Sequence, residues 1–247
     1  MTVNNYLKYM KTIIKALLKT KGLEIVRYNP APINFQSILS LLNPKNFFFI
    51  QIGANDGVKN DPINKFVTKH NLSGIMVEPQ KLDYPKKDKL IYENVAISNK
   101  NGFRSLYVIK KSFHEEYQKH TNRDASNISS FNKDHVRKFL CRGMEYLFKK
   151  DYPDSYIEEI IVPTLTFNSL MEKHKIKRID LLQIDTEGYD YEIIKTIDFN
   201  KYSPKIINYE SAHLNSKDRD ECEKHLINLG YRLLRDKGDT CAIIEKE

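Results

Sequence analysis

The chain has 247 residues, 40% of them hydrophobic and 11% aromatic, which suits one α/β domain with elaborations or two small domains. No apolar run reaches the ~20 residues that span a bilayer, the broken lysine-rich N-terminus does not read as a secretory signal, and three scattered cysteines exclude a disulfide framework, so a cytoplasmic setting is expected. Of the formal charge of +8, +5 lies in residues 1–30; no zinc finger, ribonucleoprotein motif or recognition helix accompanies it, which argues against nucleic-acid binding.

Residues 5–19 place Leu7, Met10, Ile13, Ile14 and Leu17 at helical spacing, with Lys8, Lys11, Lys15 and Lys19 grouped on another face. Such a basic amphipathic helix suits weak contact with an anionic membrane surface, or packing on its own domain or on a partner subunit in a homo-oligomer; packing is the expectation. After the Asn29–Pro32 link, a short helix, NFQSILSLL, stops before Pro44. Residues 1–44 thus read as an N-terminal helical extension.

From Phe47, FFFIQIGA reads as a strand buried on both faces. The following Asn55-Asp56-Gly57 resembles hairpin chemistry, but no alternating strand succeeds it. Instead Asp61-Pro62 offers an N-cap and a first helical position, with Ile63, Phe66 and Val67 continuing at helical spacing. Gly74 to Pro79 is a second strand, Lys89 to Ser98 a third, and residues 102–110 a fourth. The polar stretch at about 111–158, with a helix near 133–149, has the composition of an inserted lid. IIVPTLTF resumes sheet text, and Pro163 suggests an edge strand. IDLLQID, the helix YDYEIIKTI, KIINYE, the helix DRDECEKHLINLG and two strands around Gly238 complete the chain. The order βαβ and its continuation imply a doubly wound α/β sheet over residues 45–247, closed by a C-terminal antiparallel hairpin.

Ligands in such sheets bind beyond the carboxyl ends of the strands. There the first strand ends in Gly53-Ala54-Asn55-Asp56-Gly57 and the second in Glu78, where a carboxylate suits a ribose diol. The glycines would let the backbone approach the ligand. A dinucleotide calls for G-x-G-x-x-G and an immediate helix N-terminus. The chain lacks both, and Asp56 would repel phosphate. An acidic, glycine-containing loop better suits S-adenosylmethionine, which has a sulfonium, an amino group and a ribose but no phosphate.

Gln51-Ile-Gly-Ala-Asn-Asp-Gly57, Val77-Glu-Pro79, Asn94-Val-Ala-Ile-Ser98, Val162-Pro-Thr-Leu-Thr166 and Ile184-Asp-Thr-Glu-Gly-Tyr-Asp190 resemble, in that order, the FkbM family of S-adenosylmethionine-dependent methyltransferases. The resemblance covers roughly residues 45–245 and implies a class I methyltransferase, Rossmann-like fold. It also implies O-methylation of a sugar, glycan or natural-product hydroxyl. Carried onto this chain, it implies cofactor contacts from Gly53, Ala54, Asn55, Asp56, Gly57, Glu78, Pro79, Asn94, Ala96 and Ser130. Ser130 belongs to a Ser-rich segment, Ser126–Phe131, placed to close over the cofactor or to be a plain loop. Gln51 stands where the wider class has an acidic residue, so Asp56 and Asp185 are the candidates for the cofactor's methionine end.

Methyl transfer to a hydroxyl needs in-line positioning and profits from a general base. Asp185 and Glu187 leave one strand end; Glu210 ends the next strand, three residues before His213. These four are the catalytic candidates. Carboxylate–imidazole sets also suit Mg²⁺ or Mn²⁺. The spacing is not diagnostic, so no metal is expected. No pairing is read for His70, His114, His120, His135, His174 or His225. A nicotinamide-dependent oxidoreductase and a non-catalytic nucleotide-binding module on the same fold are the alternatives.

Overall fold

A computed structural model describes residues 34–81, 87–144, 153–236 and 238–244; the expected helix over 5–19 lies outside them. The chain divides into residues 1–33 and residues 34–247, and the second unit carries a mixed α/β fold. It opens with α1 (Phe35–Leu41), capped by the Asn34 side chain, which accepts from the Ser37 amide at 2.9 Å. Phe35, Ile38 and Leu39, at i, i+3 and i+4, bury one face against Phe47, Phe49 and Phe66. Residues 34–44 therefore belong to the α/β unit and not to an extension ending at 44.

β1 (Phe48–Ile52) lies inside the sheet, so both faces are buried: Ile50 and Ile52 pack in one core, Phe47 and Phe49 in another. α2 (Asn64–His70) starts later than the Asp61-Pro62 signal suggests. Asp61 Oδ1 accepts from the amides of Ile63 at 2.7 Å and Asn64 at 2.8 Å, closing a turn before the helix proper. After β2 (Ser73–Val77), the third predicted strand is split into β3 (Leu90–Glu93) and β4 (Ala96–Ile97), which join different sheets. Asn94 makes the break. Its Nδ2 donates to the carbonyls of Glu78, Pro79 and Gln80 at 2.9, 3.0 and 2.8 Å, tying the chain to the end of β2.

β5 (Gly102–Ile109) belongs to a second, four-stranded sheet. It is followed by α3 (His114–Thr121), β6 (Ser129–Ser130), α4 (Lys133–Met144) and β7 (Ile157–Leu165). The sheet order is β4-β7-β5-β6. β7 is thus flanked on both sides, contrary to the edge reading; Pro163 is tolerated because β4 is only two residues long and pairs from Thr164 onward. The lid-like segment also differs from its polar composition: Phe113, Tyr117, Val136, Phe139 and Leu140 form a core of their own with Ile109 and Ile157.

α5 (Phe167–Lys173) is capped by Thr166, whose Oγ1 accepts from the Ser169 amide at 3.0 Å. β8 (Leu181–Ile184), α6 (Asp190–Lys195), β9 (Ile206–Glu210), α7 (Ser216–Asn228), β10 (Arg232–Asp236) and β11 (Asp239–Ile243) follow. The main sheet runs β10-β11-β9-β8-β1-β2-β3, with β11 antiparallel to both neighbours and the rest parallel. Strand order reverses between β1 and β8, which opens a crevice beyond their carboxyl ends. Gln51, Gln183 and Asn208 lie side by side in register across β1, β8 and β9, a buried polar row just below that crevice. Among the described residues, no helix is long and apolar enough to cross a membrane.

Candidate active site

A cleft opens at the ends of β1, β2 and β8, with Ser126–Phe131 along one wall. Of the expected cofactor contacts, Gly53, Ala54, Asn55, Glu78, Pro79, Ala96 and Ser130 line it, whereas Asp56, Gly57 and Asn94 do not. Asp56 Oδ1 accepts from the amides of Val58 and Lys59, both at 2.8 Å, and so closes a turn. Gly57 packs on Met76: a Cβ there would lie 2.2 Å from Met76 Cε. Asn94 is the strap behind the wall described above.

Gly53 is required by the protein's own backbone. At φ +77° an added Cβ would sit 1.7 Å from the Asp185 carbonyl oxygen, so the loops after β1 and β8 touch. The loop amides are already engaged: Gly53 and Ala54 both donate to the Val77 carbonyl, and Asn55 donates to Glu78 Oε2 at 3.0 Å. They form no open nest for a phosphate. Glu78 is buried, its other oxygen accepting from the Gln80 amide at 2.9 Å; burial outweighs these bonds and pushes its pKa up to about 7.

Two further polar groups reach the cleft. Gln51 donates through Nε2 to Asp61 Oδ2 at 2.9 Å, and its Oε1 is buried with no hydrogen-bond partner among the described residues. Asp61 is thus the carboxylate beside Gln51, whereas the sequence points to Asp56 and Asp185 for an acidic group there. In the sequence Asp61 reads only as a helix cap.

The four catalytic candidates come together. Asp185 is open to the cleft yet hemmed in by protein and by Glu210, Asp190, Glu187 and Asp239; burial first, then these charges, holds its pKa well above the usual carboxylate range. Glu187 has φ +53° and lies between two imidazoles, with Oε2 3.0 Å from both His135 Nε2 and His213 Nδ1. Burial works to raise its pKa, but the two histidines outweigh it and hold it below the ordinary range. His213 Nδ1 is also 2.7 Å from Glu210 Oε2; against the effect of burial, the two carboxylates push its pKa up to about 10.

His135, projecting from α4, was passed over because it lies 52 residues from its partner. Another dismissed histidine, His174, bonds Glu93 at 2.5 Å, away from the cleft. Asp190 was also missed. It is buried, accepts from Thr186 Oγ1 at 2.8 Å and from the Glu210 amide at 3.1 Å, and so joins the loop after β8 to the end of β9. A second cavity adjoins the cleft through Ser130, Phe131, Glu187 and Tyr189, and continues to Arg104, Asn132, His135, His213 and Asp218.

A search of curated proteins gave no match to this chain. The family profile of the methyltransferase FkbM domain matches residues 51–233, from β1 into β10, and so takes in the cleft, Glu78 and the whole carboxylate–histidine cluster. The chain belongs to the FkbM family of methyltransferases.

Proposed function

We propose that the protein is an S-adenosylmethionine-dependent O-methyltransferase acting on a sugar, glycan or natural-product hydroxyl, with a class I, Rossmann-like domain. The observation that carries the reading is the cleft at the strand-order reversal, with Glu78 at the end of β2 and the unpartnered Gln51 Oε1 at the end of β1. These groups fit the cofactor's polar ends: Glu78 toward a ribose diol, Gln51 Oε1 backed by Asp61 toward an ammonium. The loop amides donate internally, which favours a phosphate-free cofactor over a dinucleotide. When bound, the cofactor supplies an electrophilic methyl group on its sulfonium.

The chain's own work is then positioning and proton removal. The second cavity, with the Phe131 and Tyr189 rings and several planar polar side chains, suits a polyhydroxylated acceptor. Its wall shared with the cleft carries Glu187, and Asp185 faces the cleft with no protein donor on its carboxylate among the described residues. Asp185 is placed to receive the hydroxyl proton as the acceptor oxygen attacks. Glu187, clamped by His135 and His213, keeps the strand-end loop in place. Holding acceptor and methyl donor in line is the larger contribution.

Calorimetry with S-adenosylhomocysteine tests the reading. Specific binding is expected, with NAD⁺ failing to compete. Glu78→Ala should weaken it by about 1.5–3 kcal/mol, the loss of a hydrogen bond to a charged group. No binding by the folded wild-type protein would overturn the assignment; unchanged affinity in Glu78→Ala would remove Glu78 from the ribose site.

A further inference from the structure

We infer that His135, Glu187, Glu210 and His213 form a site for one divalent transition-metal ion. The four side chains come from α4, the loop after β8, the end of β9 and the loop that follows it. Glu187 and His213 are the two that lie close to all the others. Glu187 Oε2 is 3.0 Å from His135 Nε2 and 3.0 Å from His213 Nδ1, and Glu210 Oε2 is 2.7 Å from His213 Nδ1. The ligand atoms of His135, Glu187 and His213 all lie within 4.8 Å of one another, as do those of Asp185, Glu187 and Glu210.

Hydrogen bonding alone accounts for only part of this geometry. His135 makes a well-formed bond to Glu187. His213 Nδ1 and Glu210 Oε2, however, are both sealed from solvent without a hydrogen-bond partner, although they are 2.7 Å apart. The contact is close but badly directed, and one Nδ1–H shared between Glu187 and Glu210 serves each poorly. Buried polar atoms left in this state are rare and call for a missing partner, an ion among them. Six-coordinate bonds of about 2.1 Å place neighbouring ligand atoms about 3.0 Å apart, which matches the two contacts of Glu187; the 2.7 Å between His213 and Glu210 is shorter.

The donor set decides the class of ion. Two imidazoles and two carboxylates suit Mn²⁺, Fe²⁺, Co²⁺ or Zn²⁺, whereas Mg²⁺ and Ca²⁺ favour oxygen alone. His213 would bind through Nδ1 and His135 through Nε2. The second cavity, which His135, Glu187 and His213 line, is the way in and has room for water ligands. If the methyl-transfer reading holds, an acceptor hydroxyl entering that cavity would meet the ion and be acidified by it. That consequence rests on the proposed function; the metal site does not.

The test uses the tag-free full chain, stripped with EDTA and without cofactor, titrated with MnCl₂ and separately with ZnCl₂. Calorimetry and the spin resonance of free Mn²⁺ should show one ion per chain, and equal MgCl₂ should not displace it. Spin-echo modulation should reveal two nitrogen ligands on bound Mn²⁺. His135→Ala and Glu187→Gln should each weaken binding by about tenfold or more, with thermal unfolding checking that each variant folds. No saturable binding, no nitrogen modulation, or unchanged affinity in both folded variants would overturn the site. Metal binding without S-adenosylhomocysteine binding would count against the cofactor reading and leave this one standing.

Discussion

Glu78 shows how one residue couples the site to stability. In the unfolded chain its carboxyl titrates near 4.5, and in the fold burial raises it to about 7. Between those values the folded protein holds a proton that the unfolded chain has released, so stability falls as pH rises through the window. A shift of this size corresponds to roughly 3 kcal/mol, fully present below pH 4.5 and lost by about pH 7. Urea unfolding of wild type and Glu78→Gln at several pH values should show the variant losing less stability across that window. Parallel curves would mean that Glu78 is not the buried proton carrier. Glu78 and Asp185 could be chosen from the sequence because each stands at a predicted strand end. His135 could not, because only folding brings α4 over the loop after β8.

At the scale of elements, the inserted segment is the main revision. Its polarity suggests a loose lid, yet α3 and α4 bury Tyr117, Val136, Phe139 and Leu140 together and send Ser129–Ser130 into the second sheet beside β5. The apolar positions are few, but they fall on facing sides of two short helices, which composition cannot reveal. Leu140→Ala removes a fully buried side chain from this core. It should lower stability by about 2–5 kcal/mol in denaturant unfolding. A loss well below 1 kcal/mol would restore the lid reading. The split of the third predicted strand has a similar origin. KLIYENVAIS is continuous strand text, and the three carbonyls gathered by Asn94, distant in sequence, hold the break between its two halves.

For the whole molecule, the division falls before Asn34. α1 contributes Phe35, Ile38 and Leu39 to the core under β1 and β2, so the α/β unit needs them. A chain beginning at Asn34 should therefore unfold in one cooperative transition and gain thermal stability with S-adenosylhomocysteine, as a native-state ligand requires. Starting instead at residue 45 should abolish that transition. Cooperative unfolding of the shorter chain would show α1 to be dispensable.

The sequence by itself determined the parallel strands, the C-terminal hairpin and the family, because these rest on local signals: buried apolar runs, Gly-containing turns and acidic residues at strand ends. It also placed Asp185, Glu187, Glu210 and His213 on one rim, since consecutive strand ends of a parallel sheet face the same way. Tertiary structure decided the rest. It turned Asp56 and Gly57 into turn and packing residues, set Asp61 against Gln51, and closed the cluster with His135. Each of these depends on which distant backbone or side chain fills the neighbouring space, and no spacing along the chain encodes that.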